Sequence, residues 1–317
     1  MKERNIMLII LLTHGPLLFA APIMQGDIFI AVAAPGNVYR ITNGGDYSTA
    51  TPFATGLPNA VGLVFSPDGR LFASCSNSKV FDITAGGDFS SASPFAFGLG
   101  RVNEMVVTPT GRILVTEGDN VMDITGGGDF SSTTPFATGI DHLSSLLATS
   151  DGRILAGGND GVLDITTGGD FSSATLYDAF AVVIDSDNYV CDPMSLAQGS
   201  DGHVYSAASG NVNNDYVGFV IDITGGGNCF ATPPFAYGLD EYLMNIAFDN
   251  TGRLLVSEES SGSIFDVSAG GDCSGLAPFA TGLEFYPQQI AVATIPEPAT
   301  FLLLGLGAVI LRRKCRG

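Results

Sequence analysis

Nine polar residues stand out by type and spacing. A short phrase recurs along the chain (SPDGRLF, TPTGRIL, TSDGRIL, GSDGHVY, DNTGRLL), and its glycine (Gly69, Gly111, Gly152, Gly202, Gly252) aligns what precedes it. Ten residues upstream the copies read Asn59, Arg101, His142, Asp192 and Tyr242, with Tyr286 from a terminal copy that lacks the glycine. Seven upstream they read Gly62, Glu104, Ser145, Ser195, Asn245 and Gln289, whereas six upstream they are uniformly apolar: Leu63, Met105, Leu146, Leu196, Ile246 and Ile290. Arg, Glu, His, Asp, Asn, Gln and Tyr side chains gathered at one opening would recognise a polar ligand such as a glycan or peptide. Covalent chemistry has less support. Beyond the N-terminal segment only His142 and His203 are histidines, and His203 stands where four other copies carry Arg70, Arg112, Arg153 and Arg253. A Ser-His-Asp set or a histidine metal cluster would rest on His142 alone. No catalytic residue, resident metal or cofactor is expected.

Such residues, spread over about 230 positions, meet only if the fold returns the chain repeatedly to one place. A second phrase shows that it does. DITGGGDFSSTTPFATGI at 123–140 recurs around Asp46, Asp88, Asp129, Asp170, Asn228 and Asp272, at steps of 42, 41, 41, 58 and 44 residues. A fixed period in this range marks a repeat architecture, because one unit cannot bury its own apolar faces. Within each unit, alternating apolar runs separated by Gly-containing turns predict four strands: VGLVF, RLFAS, KVFDIT, and SPFAF after a GGDFSS loop. Four strands in roughly 42 residues is the length of a propeller blade.

The ends complement each other. The first unit lacks its upstream strand and begins at GDIFIAV, while FYPQQIAVAT at 285–294 is a surplus strand after the last. An open β-solenoid would not pair deficit with surplus. The expected fold is all-β: a six-bladed β-propeller of four-stranded blades over 26–294, with the C-terminal strand completing the first blade. In a propeller the innermost strands line the channel, so the polar positions converge at one mouth. The blade pattern is loosely similar to NHL-type and gluconolactonase-type six-bladed propellers. The latter resemblance implies a channel metal held by Glu, Asn and Asp, and Glu104, Asn245 and Asp192 match that set in residue type only.

The two ends of the chain carry targeting signals. Lys2 and Arg4 precede an apolar run that ends in small residues at Ala20 and Ala21, the layout of a signal peptide over 1–21. At 295–317, Pro296, Glu297 and Pro298 are followed by an apolar segment and by Arg312, Arg313, Lys314 and Arg316. This order resembles a PEP-CTERM sorting tail. The resemblance implies an exported bacterial protein, held transiently in the inner membrane by a short hydrophobic helix and cut by an exosortase for release or surface attachment. The basic cluster independently places the tail's end on the cytoplasmic side and the repeats outside. Ala299–Leu311 is short for a span, about 20 Å of helix against a hydrocarbon core of about 30 Å.

Without the terminal segments, but with Glu297 retained, seven basic residues face 31 acidic ones, a net −24. That field excludes nucleic acid and anionic lipid surfaces as partners. The acids themselves read as structural: GGD aspartates suit Asx-type turns better than calcium sites, being about 41 residues apart. The aspartate of V-x-D-I-T (Asp82, Asp123, Asp164, Asp222, replaced by Arg40 in the first copy) is expected to bond a neighbouring blade. The extra residues of the long step fall mostly at 177–194, with the rest at 209–219, and the first piece is expected to overhang the mouth. Cys229 and Cys273 occupy equivalent positions in adjacent blades, too far apart for a disulfide. The functional expectation is a cell-surface or extracellular-matrix module that binds or scaffolds a polysaccharide or surface protein, with a metal-dependent hydrolase or lactonase as the alternative.

Overall fold

In the computed structural model, residues 21–294 are described except 159–160, 180–181, 185–186, 190–192, 213–214, 229–232, 240–241 and 284–285. The described residues form no α-helix. Six five-stranded sheets make a six-bladed β-propeller. The innermost strands, taken as blades 1 to 6, are Pro287–Val292, Ala60–Phe65, Met105–Val107, Ser145–Ala148, Pro193–Gln198 and Leu243–Phe248. The predicted closure is present: Pro287–Val292 pairs antiparallel with Ile28–Val32, Ile290 opposite Ile30 and Val292 opposite Ile28.

Period-2 alternation explains how the blades stack. On Ile28–Val32, Phe29 and Ala31 face blade 2 and join a core with Leu63, Leu71 and Phe81. Ile28, Ile30 and Val32 face the other way and pack with Leu255 and Ile264 of blade 6. Apolar residues on both faces of every middle strand thus build six separate cores, each between two adjacent blades. A blade without a neighbour would expose one of its two faces.

The fifth strand of each sheet answers why the GGD phrase recurs. Expected to be a loop, its Gly-Asp pair is a two-residue strand that adds in parallel to the outer strand of the preceding blade. Gly87–Asp88 pairs with Ala54–Thr55, Gly128–Asp129 with Ala96–Phe97, and Gly169–Asp170 with Ala137–Thr138. Gly45–Asp46 closes the circle on Ala280–Thr281 of blade 6. Beyond the pair, Asp46, Asp88, Asp129, Asp170 and Asp272 each accept the amide of a serine two residues on, the expected Asx turn. This turn sits against the glycine that ends the preceding phrase. Gly56 has φ +73°, and a Cβ there would stand 2.4 Å from Asp88 Oδ1.

The V-x-D-I-T aspartates do not bond a neighbouring blade, as expected from the sequence; they bond within their own. Asp82 receives the guanidinium of Arg70, with Nη2 at 2.8 Å, and the amide and hydroxyl of Thr84. Asp123 pairs likewise with Arg112, and Asp222 with His203 at 2.7 Å. The aspartate lies across a hairpin from the residue two after the arginine, as Asp82 does from Phe72, so the short path lies inside the blade. Blade 1 inverts the pair: Arg40 holds the aspartate's position and Asp27 the arginine's, and the two are hydrogen-bonded.

Candidate functional site: the channel and its upper mouth

Every innermost strand runs down from the loops that carry the polar positions, five of them to the Gly hairpin and Pro287–Val292 to Thr294. The loop end is the upper mouth. Because each of these strands is the edge of its sheet, its outward amides need partners that no strand supplies. The polar residues seven before the hairpin glycine meet that need. Gln289 Oε1 accepts the amide of Leu63 at 2.8 Å, Glu104 Oε2 that of Leu146 at 2.7 Å, Ser195 Oγ that of Ile246 at 3.3 Å, and Asn245 Oδ1 that of Ile290 at 3.0 Å. Each bond joins one blade to the next. Gly62 has no side chain to offer, and Gln289 fills its place, accepting the Met105 amide at 3.5 Å and donating to the Met105 carbonyl at 3.1 Å.

Glu104 is the centre of this hoop and is 5% exposed. Its Oε1 lies 3.3 Å from Ser195 Oγ and 3.2 Å from Asn245 Nδ2, with Gln289 Nε2 at 3.5 Å. Burial without a countercharge pushes its carboxyl up to about 8, against the lowering effect of the bonds from Leu146, Ser195 and Asn245. The group is therefore mainly neutral at pH 7.

Above the hoop opens a cavity of about 300 Å³. Five of the nine predicted residues line it: Asn59, Arg101, Glu104, Asn245 and Gln289. His142, Tyr242 and Tyr286 are solvent-exposed and stand outside the lining, and Asp192 lies outside the described residues. Asn59, His142 and Tyr286 share a positive φ of 52°, 49° and 70°, so the loops enter their strands through the same sharp turn.

Sequence reasoning missed the ring that forms most of the wall. It lies one residue before the hoop and reads Gln288, Val61, Asn103, Ser144, Met194 and Met244 around blades 1 to 6, half-buried throughout. Its signal was faint because it mixes amides, a hydroxyl, a valine and two thioethers, with neither a motif nor a uniform character. The insertions also reach this face. Val204–Val212 and Asp215–Asp222 make a hairpin longer than its counterparts, and Val182–Ile184 pairs with Asp187–Tyr189 as a separate small hairpin.

The lower mouth contrasts with the upper. It is lined by apolar ends of the innermost strands, among them Phe65, Val107, Ala148 and Phe248, together with Thr294. Both ends of the propeller chain leave here, since Gly26 donates to the Ala293 carbonyl at 2.9 Å and Ala293 to that of Asp27 at 2.8 Å.

Among the described residues no group of three or more His, Cys, Asp or Glu side chains could hold a metal. Glu104 and Asn245 of the set suggested by the lactonase resemblance are in contact, but each is spent on an interblade amide. Cys75 and Cys273 are buried and unbridged; Cys191 and Cys229 lie outside the described residues.

Residues 294–316 match the PEP-CTERM protein-sorting motif. The chain therefore carries the address for exosortase-processed export. None of the curated proteins matches its sequence. In three dimensions it is similar to a putative oxidoreductase (glucose dehydrogenase) from Thermus thermophilus, with 15% identity over 77% of this chain and 86% of that one and a TM-score of 0.52. It is also similar to the PQQ-bound aldose sugar dehydrogenase from Streptomyces coelicolor (13% identity, 87% and 97% covered, TM-score 0.50) and to a protein of unknown function from Bacteroides caccae (13%, 86% and 100%, 0.50). At these identities the likeness establishes the propeller fold alone. Among the described residues no helix is long and apolar enough to cross a membrane; the tail at 295–317 lies outside them.

Proposed function

We propose that this chain is an exported propeller that binds a polar ligand, a glycan or a surface protein, at its upper mouth, at the cell surface or in the extracellular matrix. The observation that carries the reading is the cavity of about 300 Å³, walled by amide and hydroxyl side chains with two methionines, to which all six blades contribute differing residues. The sorting motif supports the address: a signal peptide at 1–21 directs export, the tail at 295–317 holds the protein at the inner membrane, and an exosortase removes it.

The direction of the strands gives this reading a geometry. Thr294 leaves from the lower mouth, and only Ile295–Pro298 separate it from the apolar segment, about 17 Å at full extension. While the tail is uncut, the lower face stays near the membrane and the cavity opens away from it.

The contact between Glu104 and Asn245 favours a second reading, a metal-dependent hydrolase or lactonase. The two readings are separated by passing the full chain, in mild detergent, over extracellular polysaccharide immobilised from the producing bacterium and measuring its metal content. Retention without metal is expected. A stoichiometric metal lost on Asn245→Ala, with no retention, would establish the enzyme instead.

A further inference from the structure

The cavity's charges and its two-sided wall define its ligand more closely, on the footing that the upper mouth is the binding place. Among the residues lining it, only Arg101 and Glu104 can carry charge. Arg40, Arg70, Arg112, Arg153 and Arg253 are each paired with a carboxylate, and four of the five also lie over the aromatic ring that immediately precedes the outer strand of their own blade. Arg101 is the exception. Among the described residues it has no carboxylate partner, although the surrounding domain carries more than four acids for every base. A guanidinium presents a planar fork of donors that matches a carboxylate.

The wall divides by blade. Asn103 on blade 3, with Asn59 and Gln288 on blades 2 and 1, offers amides that donate and accept from the same small patch, as hydroxyl-rich ligands require, and Ser144 on blade 4, whose hydroxyl donates to the Pro193 carbonyl at 2.7 Å, adds an acceptor. Met194 and Met244, adjacent on blades 5 and 6, form an apolar and deformable side opposite Arg101 and Asn103. A pyranose has this character, with hydroxyls around its edge and C–H groups on its face. A peptide would want an open strand edge to pair with, and the hoop's side chains already occupy those of the innermost strands.

We propose that the upper-mouth cavity binds a uronate, a sugar ring bearing one carboxylate, with the carboxylate on Arg101 and a C–H face against Met194 and Met244. The Glu104 carboxyl, mainly neutral at pH 7, leaves Arg101 as the charge the ligand meets on entering, against a long-range field of the opposite sign. Affinity is therefore set by contact at the site, and long polyanions are disfavoured relative to chain ends and short oligomers.

The test is calorimetric titration of the full chain in mild detergent at pH 7. The probes are disaccharides of glucuronate, galacturonate and mannuronate, the same disaccharides with the carboxyls reduced to alcohols, and an Asp-rich tetrapeptide. At least one uronate disaccharide is expected to bind with a Kd of about 1 mM or tighter, its reduced counterpart about tenfold more weakly. Arg101→Gln, at an exposed position whose side chain has no carboxylate partner among the described residues, should abolish the difference without shifting the melting temperature. Equal binding of acidic and reduced forms, unmoved by Arg101→Gln, would overturn the uronate assignment while leaving a glycan-binding mouth intact. Binding of the tetrapeptide alone would replace the saccharide by an acidic peptide. No binding of any probe would overturn the uronate assignment, and retention on whole polysaccharide would then still decide the broader reading.

Discussion

At the scale of single residues, Glu104 couples the hoop to the cavity, and its titration can be checked. Burial raises its carboxyl from an ordinary 4.5 to about 8 in the folded chain, so between those values the folded state holds more proton than the unfolded state. Stability from this site is full below about pH 4.5 and declines as pH rises towards 8. Glu104→Gln keeps the shape and removes the ionisation. Thermal melts should show the variant equal to or slightly below the parent at pH 5 and above it at pH 8.5, by an amount of the order of a few kcal/mol. Parallel melts across that range would show that the site is hydrated. Asp82, Asp123 and Asp222 act in the opposite direction. Burial works to raise them, but their threonine hydrogen bonds and Arg70, Arg112 or His203 together hold them below the usual carboxylate range. Their contribution is present above about pH 4 and lost as the pH falls further. The inverted Asp27–Arg40 pair supplies a second test. Arg70→Asp or Asp82→Arg alone should cost about 1 kcal/mol at these half-exposed sites, and the double exchange should recover most of it, as blade 1 does naturally. The identity of the hoop residues was legible in the sequence; their employment was not. A run of Glu, Ser, Asn and Gln looks like a ligand set until the edge amides of the strands are in view.

At the scale of elements, the hairpins around Gly69, Gly111 and Gly252 could be read directly, because each carries its own turn and its own alternation. The parallel Gly-Asp strands could not. They are two residues long and pair with a segment about 33 residues upstream, leaving no alternation to detect. What the sequence does preserve is their consequence, the glycine on which the next Asx turn rests. Gly56→Ala should cost about 2 kcal/mol or more, from a positive φ and from displacement of Asp88 and Ser90. Gly118→Ala, also at positive φ but with nothing within 4 Å of the added carbon, should cost less. Chemical denaturation of the two variants measures the difference, which is the contribution of seating the turn. Equal losses would mean that the outer strands are not held by it.

For the whole molecule, ring closure was legible because a strand missing at the start and one left over at the end can satisfy each other only in a circle. Two latches close it: Ile28–Val32 on Pro287–Val292 near the axis, and Gly45–Asp46 on Ala280–Thr281 at the rim. Ending the chain before Pro287 should remove the first, uncover Ile28 and Ile30, and replace one cooperative melt by a broad transition with association between exposed edges. A chain ending at Thr294 should melt as the parent does. The same circle gathers the differing residues of six blades around one cavity, and the function proposed for the protein rests on that gathering. Its most direct measurement compares the parent with Asn103→Trp, which fills the cavity from a half-buried wall position outside the hoop, for retention on the immobilised extracellular polysaccharide. Retention of the parent and passage of the variant, at matched melting temperatures, is the predicted result; equal retention of both would place the binding surface elsewhere on the molecule.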